Sequence, residues 1–138
     1  MEYIGQILVK VLKAHRKTMA KGFSKLNLYP GQEGLLYYLS LTDGQTMTEL
    51  REKLEIKLPT LFIMIDRMEK SGWITKAKDE KNKRVSRVFL TNQGREQLSK
   101  LSKVWLEIEA QLGNDFDEEE KVQLKVLLHK LLKNLQAE

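Results

Sequence analysis

Six of the twelve residues from Lys76 to Arg87 are cationic (Lys76, Lys78, Lys81, Lys83, Arg84 and Arg87). Only two acids, Asp79 and Glu80, oppose them, so the local net charge is +4. Cations at this density neutralise phosphates or settle in a narrow, strongly negative nucleic-acid groove. Groups for covalent chemistry are scarce by comparison. With no Cys the chain has no thiolate, disulfide or Cys-ligated metal. Its two His, His15 and His129, lie far apart, and neither has a ligand at helical spacing that would close a metal set. No Gly-rich phosphate loop and no Ser/His/Asp spacing occurs. The sequence therefore reads as a binding protein, with no enzyme activity, cofactor or metal expected.

Composition points the same way. The net charge is +5 and the pI about 9.3, mild evidence for a polyanionic partner. Residues 1–28 carry +5 and the 76–91 segment +4, whereas 29–75 and 92–138 carry −2 each. The basic run in the first segment reads as the solvated face of a helix. At 138 residues, with 31% charged and 41% hydrophobic, the chain is sized for one domain with a real core. Its start, MEYIGQILVKVLKAHRK, interrupts apolar residues with charge every few positions. That fits neither a signal peptide nor a membrane span, and a cytoplasmic location without membrane contact is expected.

The cations need elements to hold them. Thr46 lies three residues before Glu49, a capping-box helix start, and Met47, Leu50 and Leu54 share one face of that helix. Glu55-Ile56-Lys57 makes a tight connection, and Pro59 stands where a second helix begins. Leu61, Met64, Ile65 and Met68 then recur as one buried stripe, ended by Gly72 as a left-handed cap. Two helices joined this closely make a helix-turn-helix. Trp73-Ile74-Thr75 and Arg87-Val88-Phe89-Leu90 read as the strands of a ribbon whose tip holds the cations. A basic ribbon directly after a helix-turn-helix is a winged helix, with one helix sized for a major groove.

Around this motif the pattern is helical. From Glu2 to about Lys25, Ile4, Ile7, Leu8, Val11, Leu12, Met19 and Phe23 follow a helical period. Tyr29-Pro30-Gly31 predicts a loop, with Pro30 at the first position of a helix that buries Leu35, Leu36 and Leu39. Thr42-Asp43-Gly44-Gln45 reads as a loop into the motif. Thr91 caps a further helix with Leu98, Leu101, Trp105, Ile108 and Leu112 on one face. After Gly113-Asn114-Asp115 a last helix, capped at Asp117 and Glu120, carries Leu124, Leu127, Leu128, Leu131, Leu132 and Leu135. The fold class is mainly α with a small β wing: about six helices, bounds good to ~2–4 residues. The terminal helices could fold back on one core or bury their leucine faces between two chains. The second is favoured, because the winged core is too small to cover them.

At this point the sequence resembles the MarR family of bacterial transcriptional regulators. The matching residues are Leu28, Pro30, Gln32, Leu36 and Leu39, then Thr48-Glu49-Leu50, Ile65-Asp66-Arg67-Met68-Glu69 and Gly72-Trp73-Ile74. The family's Asp-x-x-Asp-x-Arg wing stands here as Asp79-x-x-Asn82-x-Arg84, followed by Leu90-Thr91-Asn92-Gln93-Gly94 for its L-T-x-x-G exit. Two departures are visible: Asn82 for the second wing Asp, and apolar Pro59, Phe62 and Ile63 where relatives carry small polar or basic residues. The resemblance implies a single domain over residues 1–138, with winged helix-turn-helix 29–91 and dimerisation helices 1–28 and 92–138. It also implies a homodimer on a near-palindromic operator, with half-sites ~one helical turn apart. In such a dimer a small aromatic or other effector alters recognition-helix spacing by binding one state better than the other. Repression is the commoner outcome in the family.

The DNA contacts expected are Thr60, Phe62, Ile63 and Arg67 on the recognition helix and Lys78, Lys81, Lys83, Arg84 and Arg87 on the wing. The resemblance places Arg84 at the wing tip, reaching into the minor groove. Thr60 suits a base edge, a phosphate or a thymine methyl. Phe62 and Ile63 either meet thymine methyls or tuck against the domain. Arg67 either contacts a phosphate or guanine or pairs with Asp66 or Glu69. An effector junction would be lined by His15, Met19, Tyr37, Tyr38 and Trp73, each of which also reads as ordinary packing. Some relatives sense zinc, for which Glu33 or Glu107 could assist His15 or His129, though nothing selects them. The alternative function is a winged-helix protein-interaction module without specific DNA binding, with Phe62 and Ile63 as its anchor.

Overall fold

The computed structural model describes residues 2–137 and divides the chain into two compact units, 1–104 and 105–138. The first unit opens with α1 (Ile4–Ser24) and α2 (Gln32–Leu41). The two-residue strand β1 (Gln45–Thr46) follows, then α3 (Met47–Leu54) and α4 (Leu58–Lys70). The wing strands are β2 (Ile74–Lys78) and β3 (Ser86–Leu90), and α5 (Asn92–Leu112) continues across residue 104. The second unit also holds α6 (Glu118–Gln136). Among the described residues no helix is long and apolar enough to cross a membrane.

The expected two-stranded ribbon is a three-stranded antiparallel sheet in the order β1-β3-β2. Ile74 faces Leu90 across β2 and β3, and Gln45 faces Val88 across β1 and β3. The segment read as a loop through Gln45 thus supplies a strand, because its backbone groups pair with β3 from far along the chain. Gln45 is itself buried: its Nε2 donates to the Tyr38 and Thr42 carbonyls at 2.7 Å, and its Oε1 accepts from Lys53 Nζ at 2.6 Å. A buried amide with its donors and acceptor satisfied fixes how the end of α2 meets β1 and α3.

Local chemistry sets each boundary. Thr46 Oγ1 accepts the Glu49 N–H at 3.2 Å, starting α3 where the capping pattern puts it. Glu55, at φ 53°, turns the chain out of α3, and Pro59 lies in the first turn of α4. At the far end Gly72 (φ 82°) donates its N–H to Glu69 O, and Trp73 donates to Met68 O. These two bonds form a Schellman cap, which satisfies the last carbonyls of α4 and sends the chain into β2. One boundary differs: Pro30 lies in the turn before α2, not at its first position, because Gly31 at φ 97° is the N-cap.

The core of the first unit joins Phe23 and Leu28 to Leu35, Leu36 and Leu39 of α2 and Leu50 of α3. Leu61, Ile65 and Met68 of α4, Ile74, Val88 and Leu90 of the sheet and Leu101 of α5 complete it. Phe23 is the one residue that α1 buries, and α6, in the second unit, buries none of its described residues. Asp117 caps α6 with a complete capping box, its carboxylate accepting the Glu120 N–H at 2.7 Å.

Candidate nucleic-acid interface

The wing tip is a closed hydrogen-bonded turn. The Asp79 N–H donates to Val85 O at 2.8 Å, and the Val85 N–H returns a bond to Asn82 O at 2.9 Å. Asp79 Oδ2 accepts the N–H groups of Lys81 and Asn82, and Asn82 Oδ1 accepts that of Arg84 at 3.1 Å. Asn82 therefore closes the turn through a neutral amide and adds no negative charge to the tip.

The wing base is clamped. Arg87 Nε donates to Asp79 Oδ1 at 2.6 Å, and Arg87 Nη1 donates to Gly44 O at 2.8 Å. The guanidinium bond, reinforced by the Asn82 N–H, holds the Asp79 carboxyl below its ordinary range, and the same pair raises Arg87. Of the expected wing contacts, Arg87 is thus committed to holding the wing. Lys78, Lys81, Lys83 and Arg84 are exposed, and among the described residues none of the four is in an ion pair. Lys76 lies nearby, 3.7 Å from Glu69.

The recognition helix α4 buries Leu61, Met64, Ile65 and Met68 and turns the other side outward. Thr60 is exposed, and Phe62 and Ile63 are 53% and 56% exposed, so they do not tuck against the domain. Arg67 does not take either ionic partner expected of it. Asp66 pairs with Lys70 at 3.0 Å and Glu69 with Lys76, while the Arg67 guanidinium lies 5.6 Å from the centroid of the Tyr29 ring. That cation–π contact keeps the charge at the surface beside α4. Sequence reasoning missed Tyr29 here, and it missed Leu58, which is 38% exposed one turn before Phe62. The i, i+4 spacing of Leu58 and Phe62 was the available signal for the latter.

The five residues assigned to an effector junction lie on several elements. Tyr37 and Tyr38 on α2 pack edge to face, centroids 5.4 Å apart. His15 and Met19 on α1 are half-buried, as is Trp73 after α4. His15 Nδ1 is enclosed without a hydrogen-bond partner. Among the described residues no cluster of three or more His, Asp or Glu is placed to hold a metal ion. Glu33 instead accepts the Gly31 N–H at 2.9 Å at the start of α2.

Comparison with known proteins gives one family. The MarR family model matches residues 28–86, from the loop before α2 to the first residue of β3. The HTH-type transcriptional regulator PecS of Dickeya dadantii is 30% identical, over 86% of this chain and 74% of its own length. The HTH-type transcriptional regulator YwoH of Bacillus subtilis is 27% identical, over 88% and 90% respectively. A mutant MarR from E. coli, crystallised with operator DNA, superimposes at a TM-score of 0.81 with 23% identity, covering 94% of this chain and 93% of that one.

Proposed function

Since the chain belongs to the MarR family, whose members are transcriptional regulators and not enzymes, we propose that it binds a specific double-stranded operator as a homodimer and acts as a ligand-responsive repressor in the cytoplasm. The observation that carries the reading is the pairing of an outward recognition helix with a clamped wing whose Lys78, Lys81, Lys83 and Arg84 are all exposed. The helix is of a size to enter the major groove, and the wing cations then meet phosphates, with Arg84 in the adjoining minor groove. The operator complex of the E. coli MarR mutant supports the same use of the same fold.

Dimer formation accounts for apolar surface that a single chain leaves in water. On α6, Val122, Val126, Leu127, Leu128, Leu132 and Leu135 are each 46–74% exposed, and Ile4, Ile7, Val11 and Leu12 of α1 are 44–69% exposed. Faces of this extent are covered in stable proteins, and a second copy of the chain supplies that cover. A ligand then acts by favouring one spacing of the two recognition helices, which requires different affinity for the two states. Tyr37, Tyr38, Trp73, His15 and Met19 are its proposed lining. Selection of duplexes from a random-sequence library, with sedimentation of the free protein, tests the reading. A dimer that enriches a two-fold-related motif supports it; a monomer, or no enriched motif, overturns it.

A further inference from the structure

The outward side of α4 is unusual for a surface that reads a polar duplex. Leu58 and Phe62 lie one turn apart, as do Pro59 and Ile63, so an apolar stripe two residues wide runs along the N-terminal half of the helix. This is the half that approaches base edges in a helix-turn-helix. From Leu58 to Ile63 only Thr60 has a side chain able to hydrogen-bond. The charged groups follow a turn later, where Asp66 is paired with Lys70 and Arg67 is stacked on Tyr29.

Resting on the DNA-binding reading above, we propose that α4 reads thymine through its C5-methyl group, with Phe62 and Ile63 as the specificity-determining side chains. In the major groove that methyl is the one apolar feature of a base pair. An apolar side chain gains by covering it. Placed over a G·C pair, the same side chain would strip water from donors and acceptors and leave them unpaired, so the stripe also selects against G·C. Charge complementarity argues for DNA as the occupant. The stripe begins beside exposed Lys57 and belongs to the same unit as the wing cations Lys78, Lys81, Lys83 and Arg84, which suit phosphate walls on either side of an apolar floor.

The test compares duplexes selected by the purified protein with the same duplexes in which deoxyuridine replaces thymidine. That change removes only the methyl and keeps every hydrogen-bonding group. Each contacted methyl lost weakens wild-type binding about fourfold, the factor for one buried group of that size. In Phe62→Ala and Ile63→Ala the loss shrinks toward nothing. Both side chains are outside the core, and circular dichroism confirms that each variant folds. Arg84→Ala weakens binding to both duplexes but keeps their ratio. Equal wild-type affinity for the two duplexes overturns the inference and leaves the regulator reading standing. Methyl sensitivity that survives both alanine variants overturns the assignment to Phe62 and Ile63. No sequence preference on any duplex removes both readings, and the stripe would then fit a protein groove.

Discussion

Gly94→Ala and Gly5→Ala are the same substitution in two long helices, and the structure predicts opposite signs for them. Alanine is favoured over glycine within a helix by about 1 kcal/mol. Nothing lies within 4 Å of a Cβ added at Gly5, so that gain is available there. At Gly94, the third residue of α5, an added Cβ lands on the carbonyl oxygen of Trp73, with the Trp73 carbonyl carbon at 3.0 Å and Leu90 Cδ2 at 3.3 Å. The same carbonyl accepts the Thr91 N–H at 3.0 Å, and Thr91 Oγ1 accepts the Gly94 N–H while donating to Gly72 O. The helix start and the exit from α4 are therefore locked together, and a clash with backbone finds no flexible side chain to yield. Overpacking costs about 1–3 kcal/mol and one lost hydrogen bond about 1 kcal/mol. Against the helix-propensity gain, the net is a destabilisation of about 2 kcal/mol. Urea unfolding followed by circular dichroism, at one fixed protein concentration because a dimer's stability depends on it, reads the difference. A Gly94→Ala protein as stable as wild type would refute the close approach of α5 to Trp73.

Other perturbations separate the core, the wing and the exposed helices. Leu50 is fully buried on α3, which packs against α2, α4 and the sheet, so Leu50→Ala should cost about 2–5 kcal/mol in the same unfolding assay; a cost below about 1 kcal/mol would contradict that packing. Asp79 is held below its unfolded value of 3.8, so its contribution is full above that pH and is lost as pH falls through the lower folded value. Wild type should accordingly lose more stability than Asp79→Asn between neutral pH and the acid side of that window, and equal losses would contradict the Arg87 clamp. On α6, Leu128 is 46% exposed, and Leu128→Glu should convert a sedimenting dimer to monomer without unfolding the winged unit. An unchanged sedimentation coefficient would place the dimer contact elsewhere.

Much of the winged unit was legible in the sequence because its signals are local. Thr46 and Glu49, Pro59, the stripe from Leu61 to Met68 and Gly72 are all short-range signals, and the start of α3 and both ends of α4 follow from them. Strand β1 was not legible: two residues carry no period, and Gln45–Thr46 is a strand only through its pairing with Val88 and Arg87. Pro30 was displaced by its neighbour, since Gly31 can adopt the positive φ that caps α2. The wing cations were visible as charge density, but not their division of labour. Arg87 lies 43 residues along the chain from its partner Gly44, so its structural role appears only once β3 is laid beside β1. Arg67 is the converse case: its near neighbours in sequence, Asp66 and Glu69, are taken by Lys70 and Lys76, and it stacks instead on distant Tyr29. Which of α4's outward residues point away from the domain was ambiguous from periodicity alone, because Phe62 and Ile63 border the buried stripe.

The most direct measurement is fluorescence anisotropy of wild type and Arg84→Ala on a selected duplex, across a salt series with scrambled DNA as competitor. Without the salt series the affinities cannot be compared. Wild type should hold the selected duplex against excess scrambled DNA, and Arg84→Ala should lose at least about tenfold in affinity while sedimenting as wild type does. Scrambled DNA competing equally at every salt concentration, or Arg84→Ala binding as tightly as wild type, would contradict sequence-specific recognition by the wing and helix.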